Sequence, residues 1–462
     1  MSTRSTDYLV VGAGAMGMAF TDALIDHADV HVTLVDRRTA PGGHWVDAYG
    51  FVQLHQASVF YGVSSTVLGT GALQSEGPEA GLQERAHQRE VVEYYDEVLR
   101  TRLVGSGRVE FLGGSEYQDR GTSHVVVAEA SGEATEVEVR RRVVDATYIS
   151  PTIPATTPPP FGVADDVRCV PINDLPASSA SADEIVIVGS GKTATDGIVW
   201  LLSNGMPSDR IVWVRPREPW MINRAVQQPD PAVALGYAAD LMEAAVEAAS
   251  VDEFFLRLEA VGAMLRIDES VVPTMGKAPT LGRWELELLR TVERVVRLGH
   301  LRHVTPRELV LDDGVVEVAR GSLVVHCAAS GLAYPPLVEI WRPDRIRLQP
   351  IRAGFPCFGA ALAGFVEATL DDDARRNALC PPNAFANTPQ DWILMQQRGA
   401  EAVRSFGAEP DVDRWAGGCA LNPVRVTAAD EQLPRVRTAR ERLSRAQADG
   451  LAALTRLARG PA

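Results

Sequence analysis

The chain has 462 residues, a formal net charge of −15 and 46% hydrophobic residues. This length suffices for two or three domains with full cores. The acidic balance, without a long basic run, argues against nucleic acid or an anionic membrane as a partner. No apolar run is long enough to span a bilayer, so we expect no membrane insertion.

The N-terminal residues 1–7 lead directly into the first predicted strand, which predicts no secretory leader. The five cysteines are widely spaced, at positions 169, 327, 357, 380 and 419. Sparse, unpaired cysteines predict reduced thiols and a cytoplasmic location. No Cys-x-x-Cys pair is present, so the redox-active dithiol of thioredoxin-reductase-like flavoproteins is not expected. No set of residues has metal-ligand spacing, and we predict no metal site.

A first glycine fingerprint, Gly12-Ala13-Gly14-Ala15-Met16-Gly17, follows the apolar run 8–11. This order of strand, tight turn and helix start predicts a site for the pyrophosphate of a dinucleotide. A second strand at 30–35 ends on Asp36, where an acid can hydrogen-bond ribose hydroxyl groups. The predicted residues of this first site are Gly12, Gly14, Ala15, Met16, Gly17, Asp36 and Arg37.

A second fingerprint, Gly189-Ser190-Gly191-Lys192-Thr193-Ala194, follows the apolar run 185–188. It is not a P-loop, because that motif would need glycine where Val186 stands. The next strand ends on Arg215 in place of an acid, and arginine there can accept a 2′-phosphate, which predicts NADPH over NADH. Alternatively, Arg215 and Arg217 are solvated surface charges. The predicted residues of this second site are Gly189, Gly191, Lys192, Thr193 and Arg215, with Lys192 contacting phosphate.

The element Gly42-Gly43-His44-Trp45 follows Asp36. With the two fingerprints, it resembles the class B flavin monooxygenases, which comprise flavin-containing and Baeyer–Villiger monooxygenases. The resemblance spans most of residues 5–370 in the order of elements. It implies FAD in the first site, flanked by Gly43, His44 and Trp45, and NADPH in the second.

In these families the segment after this element passes the flavin ring. The resemblance therefore implies flavin or substrate contacts for Asp47, His55 and Gln56, which are our candidate catalytic residues. An extended polar and aromatic segment can cover the ring and offer it hydrogen-bond donors. The alternative for His55 is a purely structural histidine.

The chain departs from the family pattern at three places. Residues 62–66 lack the asparagine that these enzymes often carry, and residues 161–167 lack the histidine of the Phe-x-Gly-x-x-x-His fingerprint. The two Ala-Thr-Gly crossovers read Ala146-Thr147-Tyr148 and Ala329-Ser330-Gly331. These departures keep open an alternative, an FAD-dependent NAD(P)H oxidoreductase without oxygen insertion. A redox-sensing binding protein is a third, weaker hypothesis.

The predicted fold is α/β, with two Rossmann-like dinucleotide-binding domains of glutathione-reductase type and a helical insertion. We predict the first part of the FAD domain at 1–160, the NAD(P)H domain at 161–330 with its insertion at 231–300, and a return to the FAD domain with C-terminal helices at 331–462. Further predictions are a helix at 84–103, a small antiparallel sheet from 109–112, 123–128 and 136–144, a turn at 354–357 before a helix at 360–369, and an amphipathic helix at 434–457 for packing or a homodimer contact.

The leading functional hypothesis is an NADPH- and O2-dependent FAD monooxygenase. The resemblance implies that it acts through a flavin C4a-(hydro)peroxide on a small amine, sulfide or ketone. Its expected partners are the small-molecule substrate and O2.

Overall fold

The computed structural model describes residues 2–121 and 123–459, and within them the chain forms twenty strands and twelve α-helices. The strands are β1 (Ser2–Val11), β2 (Val32–Asp36), β3 (Val109–Gly113), β4 (Ser115–Asp119), β5 (His124–Ala128), β6 (Ala134–Asp145), β7 (Gly162–Val163), β8 (Arg168–Pro171), β9 (Ile185–Val188), β10 (Ile211–Val214), β11 (Pro219–Asn223), β12 (Met264–Arg266), β13 (Met275–Leu281), β14 (Val295–Val296), β15 (Leu301–Val304), β16 (Glu308–Leu311), β17 (Gly314–Glu317), β18 (Leu323–His326), β19 (Trp341–Arg342) and β20 (Arg345–Arg347). The helices are α1 (Ala15–His27), α2 (Gln88–Glu97), α3 (Leu175–Ser179), α4 (Lys192–Ser203), α5 (Pro231–Glu247), α6 (Val251–Ala260), α7 (Arg283–Leu289), α8 (Pro356–Thr369), α9 (Asp373–Leu379), α10 (Pro389–Gly407), α11 (Pro410–Gly418) and α12 (Pro434–Arg459).

The first large sheet has the order β19-β20-β6-β1-β2-β3, with β4 and β5 attached to β6. Strand β1 pairs in parallel with both β2 and β6. Helix α1 packs against α8, so closely that a Cβ atom on Gly364 would lie 2.4 Å from the carbonyl oxygen of Phe20. The C-terminal part of the chain thereby completes the layer that supports the first fingerprint.

The second large sheet has the order β14-β10-β9-β18-β8 and is entirely parallel. Its central strand β9 has four aliphatic residues that are all buried, as expected for a strand covered on both faces. All five strands lie between Arg168 and His326, between the two portions of the chain that build the first sheet. A mixed sheet with a parallel centre and an entirely parallel sheet, each with a glycine turn that leads into a helix, confirm the predicted α/β fold.

Some predicted elements differ from the structure. Strand β3 pairs in parallel with β2 and is not part of an antiparallel sheet, which β4, β5 and β6 form instead. Hydrophobic alternation identifies a strand but carries no information about its neighbour. The predicted helix at 84–103 begins at Gln88 and widens into a π-helix at Val98–Leu103. Helix α8 begins at Pro356, inside the predicted turn, because proline suits the first helical turn.

The predicted insertion at 231–300 contains α5 and α6, and also the strands β12 and β13, which the sequence did not reveal. Helix α12 covers the predicted amphipathic segment and packs within the chain against α5 and α10. Its Gly450 marks the close approach, since a Cβ atom there would lie 2.5 Å from the Cβ atom of Met242. The predicted domain boundaries and the homodimer stay predictions. No helix in the described part of the chain is long and apolar enough to cross a membrane.

Candidate functional site

The first fingerprint forms the turn between β1 and α1. Gly12 has a φ of +103°, which favours glycine, and its N–H donates to the carbonyl of Val35 at 2.8 Å. A Cβ atom on Gly17 would lie 1.9 Å from the carbonyl oxygen of Gly12, so only glycine lets α1 start this close to the turn. Helix α1 begins after Gly14 without any side-chain cap. Its first N–H groups are therefore available to an anion.

The Gly42-Gly43-His44-Trp45 element lies against this turn. The N–H of Gly42 donates to the carbonyl of Ala13 at 2.9 Å, and Gly42 has a φ of +111°. A Cβ atom on Gly43 would lie 3.0 Å from the Cα atom of Gly14, so the two backbones face each other with only hydrogens between them. Trp45 is buried and donates from its indole nitrogen to the Tyr61 hydroxyl at 2.6 Å.

A cavity of about 360 Å³ runs along the fingerprint, and we call it the fingerprint cavity. Its lining residues also include Glu116, Tyr117, Tyr61, Pro356 and Phe385. The structure brings together on its wall the predicted residues Gly12, Gly14, Ala15, Met16, Asp36, Arg37, Gly43 and His44. Gly17 and Trp45 support the wall from behind, through the contacts described above.

Asp36 is 7% exposed and organises the turn. Its carboxylate accepts the N–H of Ala13 at 2.7 Å and the N–H of Arg38 at 2.8 Å. Asp36 thus lines the cavity while its oxygens also fix the backbone. The carboxylate of Asp47, a candidate catalytic residue, accepts from Nε of Arg38 at 2.7 Å, and Arg38 lines the cavity. Burial, followed by the nearby charge of Arg38, lowers the pKa of His44 to about 4, so its ring is neutral at pH 7.

The second fingerprint repeats the geometry at β9 and α4. Gly189 has a φ of +146°, and a Cβ atom there would lie 2.8 Å from the carbonyl oxygen of Cys327. Helix α4 begins after Gly191 without a side-chain cap. A Cβ atom on Gly191 would meet no heavy atom within 4 Å, so the start of α4 is open. An open, uncapped helix start suits the pyrophosphate of a dinucleotide.

Lys192 does not extend from this helix start towards open space. Its ammonium group forms an ion pair with Asp196 and lies 3.4 Å from Glu285. Tyr49 reaches over from the first part of the chain and donates to Asp196 at 2.7 Å. The neighbouring Thr193 hydroxyl contacts Tyr49 as well. In the described arrangement the charge of Lys192 is balanced by two carboxylates, which does not favour the predicted phosphate contact.

Arg215 is only 2% exposed, contrary to the expectation of a guanidinium group presented to a phosphate. Its Nε donates to Glu218 at 2.8 Å, and its guanidinium stacks 4.2 Å from the centroid of the Trp213 ring. Burial, opposed by Glu218, lowers its pKa to about 10. Its position in the sequence fits a 2′-phosphate contact, but the tertiary structure turns the side chain inward.

Two other cations lie near the second fingerprint. The backbone N–H of Arg217 donates to the hydroxyl of Ser190 at 3.2 Å, so Arg217 lies beside the glycine turn. Its guanidinium bonds to Asn387 and to the carbonyl of Thr274, which are uncharged partners. Lys277 lies 5.9 Å over the Tyr334 ring, and burial together with the charge of Arg217 lowers its pKa. Neither cation forms an ion pair within the part of the chain that the structure describes.

A buried cluster of charged side chains connects the segment after the first fingerprint with α4, α7 and the turn after β11. We call it the central ion cluster, and it comprises Arg85, Arg224 and Lys192 with Glu79, Glu285 and Asp196. Arg224 has a side-chain exposure of 1% and bonds to Glu79 and, at 2.7 Å, to Glu285. Burial alone would raise the pKa of Glu285, but Lys192 and Arg224 outweigh it and lower the pKa to about 2. Equal numbers of cations and carboxylates make this burial tolerable.

His55 lies beside the central ion cluster. Its backbone carbonyl accepts from Arg224 Nε at 3.1 Å and from the Thr280 hydroxyl. Burial, then the charges of Lys192 and Arg224, lower the pKa of its imidazole to about 3. Its Nδ1 atom is buried and has no hydrogen-bond partner among the described residues. Gln56 is 5% exposed.

Among the described residues, no hydrogen bond or ion pair joins Asp47 to His55 or Gln56. Asp47 pairs with Arg38, and His55 lies at the central ion cluster. The sequence analysis missed Glu79, Arg224, Glu285 and Lys277, and it named Arg217 only with Arg215, as a solvated surface charge. No local pattern could have found them, since Arg224 is 145 positions from Glu79 and 61 from Glu285.

Comparison with known proteins agrees with this geometry. A family described as an NAD(P)-binding Rossmann-like domain matches residues 10–63. An uncharacterized protein of Mycobacterium tuberculosis is 40% identical over 424 residues, which cover 91% of this chain and 78% of that protein. A Mycobacterium bovis protein, also described as uncharacterized, matches with the same identity and coverage. The chain belongs to this mycobacterial protein family.

Two solved structures share the fold. The polycyclic ketone monooxygenase of the fungus Thermothelomyces thermophila has a TM-score of 0.52 and 13% identity, covering 97% of this chain and 90% of that one. The cyclohexanone monooxygenase of Rhodococcus sp. Phi1, solved with NADP+ bound, has a TM-score of 0.50 and 14% identity, covering 97% and 98%. At such identity these likenesses show the fold alone, and at that level they confirm the resemblance predicted from the sequence.

Proposed function

We propose that this member of the family is an FAD- and NADPH-dependent monooxygenase acting on a small organic molecule. The observation that carries the proposal is the pair of uncapped helix starts, at Gly14 and Gly191, in one chain. Each helix start offers free N–H groups to a pyrophosphate, and two such sites in one chain suit a flavin and a nicotinamide.

We assign FAD to the fingerprint cavity. Its residues fit the group, because the uncapped start of α1 opens at Gly14 and because Asp36 and Arg37 lie where an adenosine ribose would be bound. The Gly-Gly-x-Trp element, which resembles that of flavin monooxygenases, supports FAD over NAD(P)H here. Tyr61 and Phe385 would border the flavin end, and the buried Trp45–Tyr61 hydrogen bond would hold that wall rigid.

We assign NADPH to the open start of α4. The residues proposed to bind its phosphates are Arg217 and Lys277, because both are cations without a carboxylate partner and Arg217 is bonded to the fingerprint itself. This replaces Arg215 as the expected contact to the 2′-phosphate. The Rhodococcus cyclohexanone monooxygenase, which shares the fold, was solved with NADP+ and supports the choice of cofactor.

When bound, the flavin supplies hydride acceptance from NADPH and activation of O2. The overall reaction would consume substrate, O2, NADPH and one proton, and would yield oxygenated substrate, water and NADP+. The chain's own contribution is to place the two nucleotides and to exclude water. The central ion cluster would help to exclude water, because it would fix segment 49–85 against α4 and α7.

The cysteines disfavour a dithiol reductase. All five are unpaired, and burial raises the pKa of Cys357 to about 12 and that of Cys169 to about 11. A thiol with so high a pKa is a poor nucleophile at neutral pH.

The second candidate function is an NAD(P)H oxidoreductase without oxygen insertion. This candidate is favoured by residues 161–167, where the histidine of the monooxygenase fingerprint is missing. Gly162 belongs to strand β7 and lies opposite His303 of β15.

The test is anaerobic reduction of the purified yellow protein by NADPH, followed by turnover of a mixture of sulfides, ketones and amines under ¹⁸O2. We expect the flavin absorbance to bleach and one ¹⁸O atom to enter a product. Bleaching without label in any product, together with hydrogen peroxide release or reduction of an added acceptor, would establish the second candidate. A protein that purifies without flavin and cannot be reconstituted with FAD would refute both.

A further inference from the structure

A second cavity, of about 420 Å³, adjoins the fingerprint cavity. It lies between residues 333–337, which follow the second crossover at 329–331, and residues 383–387, which precede α10. The two cavities share Ile149 and Phe385 as a common wall. We call it the crossover cavity.

The opposite side of the crossover cavity faces the second nucleotide site. Asn387, on its wall, accepts from Arg217 through its side chain at 3.0 Å and its carbonyl at 2.8 Å. Tyr334, also on its wall, carries Lys277 over its ring. The crossover cavity therefore lies between the residues assigned to FAD and those assigned to NADPH. This is where a substrate must be held to react with a flavin that a nicotinamide has reduced.

The polar groups of the wall are largely used within the protein. Gln349 accepts the N–H of Val338 at 3.2 Å and donates to its carbonyl at 2.8 Å. Asn383 donates to the carbonyl of Met395 at 2.9 Å, and the Tyr334 hydroxyl donates to that of Ala386 at 3.3 Å. The remaining wall is apolar, formed by Ala333, Pro335, Leu337, Pro350, Ala384 and Phe385. Such a wall would accept apolar groups and would leave an added charge without a partner.

The charges near the crossover cavity also disfavour a cationic ligand. Its one acidic wall residue, Asp391, accepts the N–H of Thr388 at 3.0 Å in the capping box of α10. That carboxylate lies in the first turn of a helix, where the helix dipole already stabilises it. Arg217 and Lys277 add two positive charges behind the wall. An ammonium group would therefore meet repulsion at the rear of the cavity.

We infer that the crossover cavity binds the organic substrate, and that this substrate is a neutral, largely apolar molecule such as a sulfide or ketone rather than a protonated amine. The inference rests on the proposed function and narrows it.

The test measures equilibrium binding of methyl phenyl sulfide to the flavin-loaded protein with saturating NADP+, by perturbation of the flavin spectrum and by calorimetry. N,N-dimethylbenzylamine and phenylacetate provide a cation and an anion of similar size. Ala384→Trp fills the cavity, and Val315→Trp, at an exposed position on β17, is the matched control. Flavin content and melting temperature show that each variant is folded.

We expect Ala384→Trp to weaken sulfide binding by about tenfold or more, and Val315→Trp to leave it within about twofold. Both charged probes should bind the wild type at least about tenfold more weakly than the sulfide. Unchanged sulfide binding in Ala384→Trp would overturn the location. A charged probe that binds as tightly as the sulfide would overturn the chemical class.

Should Ala384→Trp fail to fold, Leu337→Ala tests the same site by enlargement. It should favour methyl 2-naphthyl sulfide over methyl phenyl sulfide relative to the wild type, and an unchanged preference would overturn the location. Reduction of the wild-type flavin by NADPH separates the two levels of the argument. If NADPH reduces the flavin but the cavity variants behave like the control, this inference alone fails. If NADPH does not reduce the flavin, the proposed function fails.

Discussion

Arg224 donates from Nη2 to the Glu285 carboxylate at 2.7 Å, and both side chains are at most 5% exposed. The same guanidinium bonds to Glu79, which a loop of the first part of the chain carries into the contact. One arginine thus joins two carboxylates from distant parts of the sequence. Because all three charges are out of water, loss of Arg224 would leave the central ion cluster one cation short, with Arg85 beside Glu79 and Lys192 beside Glu285.

Arg224→Met should therefore destabilise the protein by about 3–5 kcal/mol, since Glu79 and Glu285 would remain buried with one cation fewer between them. Urea unfolding measures the loss. Arg302→Met, which breaks the exposed pair of Arg302 with Asp312, is the control and should have little effect. Equal losses in the two variants would show that the central ion cluster adds nothing beyond a surface pair.

Stability should fall as the pH is lowered, in two windows. The pKa of His55 is lowered from 6.5 to about 3, so below about pH 6.5 the unfolded chain takes up a proton that the folded protein does not bind. The pKa of Glu285 is lowered from 4.5 to about 2, so its stabilisation is complete above about pH 4.5 and disappears towards pH 2. His55→Gln should flatten the slope of unfolding free energy between about pH 6.5 and 4.5. Identical slopes in the wild type and in His55→Gln would contradict the assignment to His55.

Gly43→Ala should lower the flavin content of the purified protein. The added methyl group would lie 3.0 Å from the Cα atom of Gly14, and it would push the element 42–45 away from the glycine turn that lines the cavity assigned to FAD. Gly71→Ala is a matched control, because Gly71 also has a positive φ, +74° against +59° for Gly43, but lies in open space. Both variants carry similar backbone strain. A difference in the ratio of flavin to protein absorbance therefore reports the close contact between Gly43 and Gly14 alone. Equal flavin content in the two variants would contradict the assignment of FAD to the fingerprint cavity.

Arg217→Ala and Lys277→Ala should each raise the KM for NADPH relative to that for NADH by about tenfold or more, because a charge-assisted contact to phosphate is lost. Arg215→Ala should leave this ratio unchanged, since its guanidinium is committed to Glu218 and Trp213. Steady-state or stopped-flow flavin reduction with both nucleotides measures the ratios. A selective NADPH defect in Arg215→Ala would restore the assignment suggested by sequence position.

Gly450→Ala should destabilise the protein by about 1–3 kcal/mol, because its methyl group would overlap Met242 at the contact of α12 with α5. Gly236→Ala, inside α5 with no heavy atom near the added methyl, should instead stabilise by about 0.5–1 kcal/mol through helix propensity. Denaturant unfolding compares the two. Stabilisation by both would mean that α12 does not pack on α5 in this way.

The first nucleotide site could largely be read from the sequence. Glycines, a strand, a helix and Asp36 follow one another within a short stretch, and local backbone geometry alone brings them to one cavity. The same holds for Gly191, whereas Gly189 is also constrained by the carbonyl of Cys327, which only the fold brings close. The nested order of the two sheets also follows from where the two fingerprints lie along the chain.

What tertiary structure decided is where the charged side chains point. Arg215, Lys192 and Asp47 are in sequence positions that suit nucleotide or flavin contacts, yet each is paired with a carboxylate or guanidinium that the fold brings near. The roles described for Arg217, Lys277 and Arg224 depend on partners that are distant in the sequence. A charge buried on folding must find a counter-charge or stay near water, and which of these occurs depends on the whole assembled interior. The sequence by itself determined the backbone sites, and the packed structure determined the electrostatics around them.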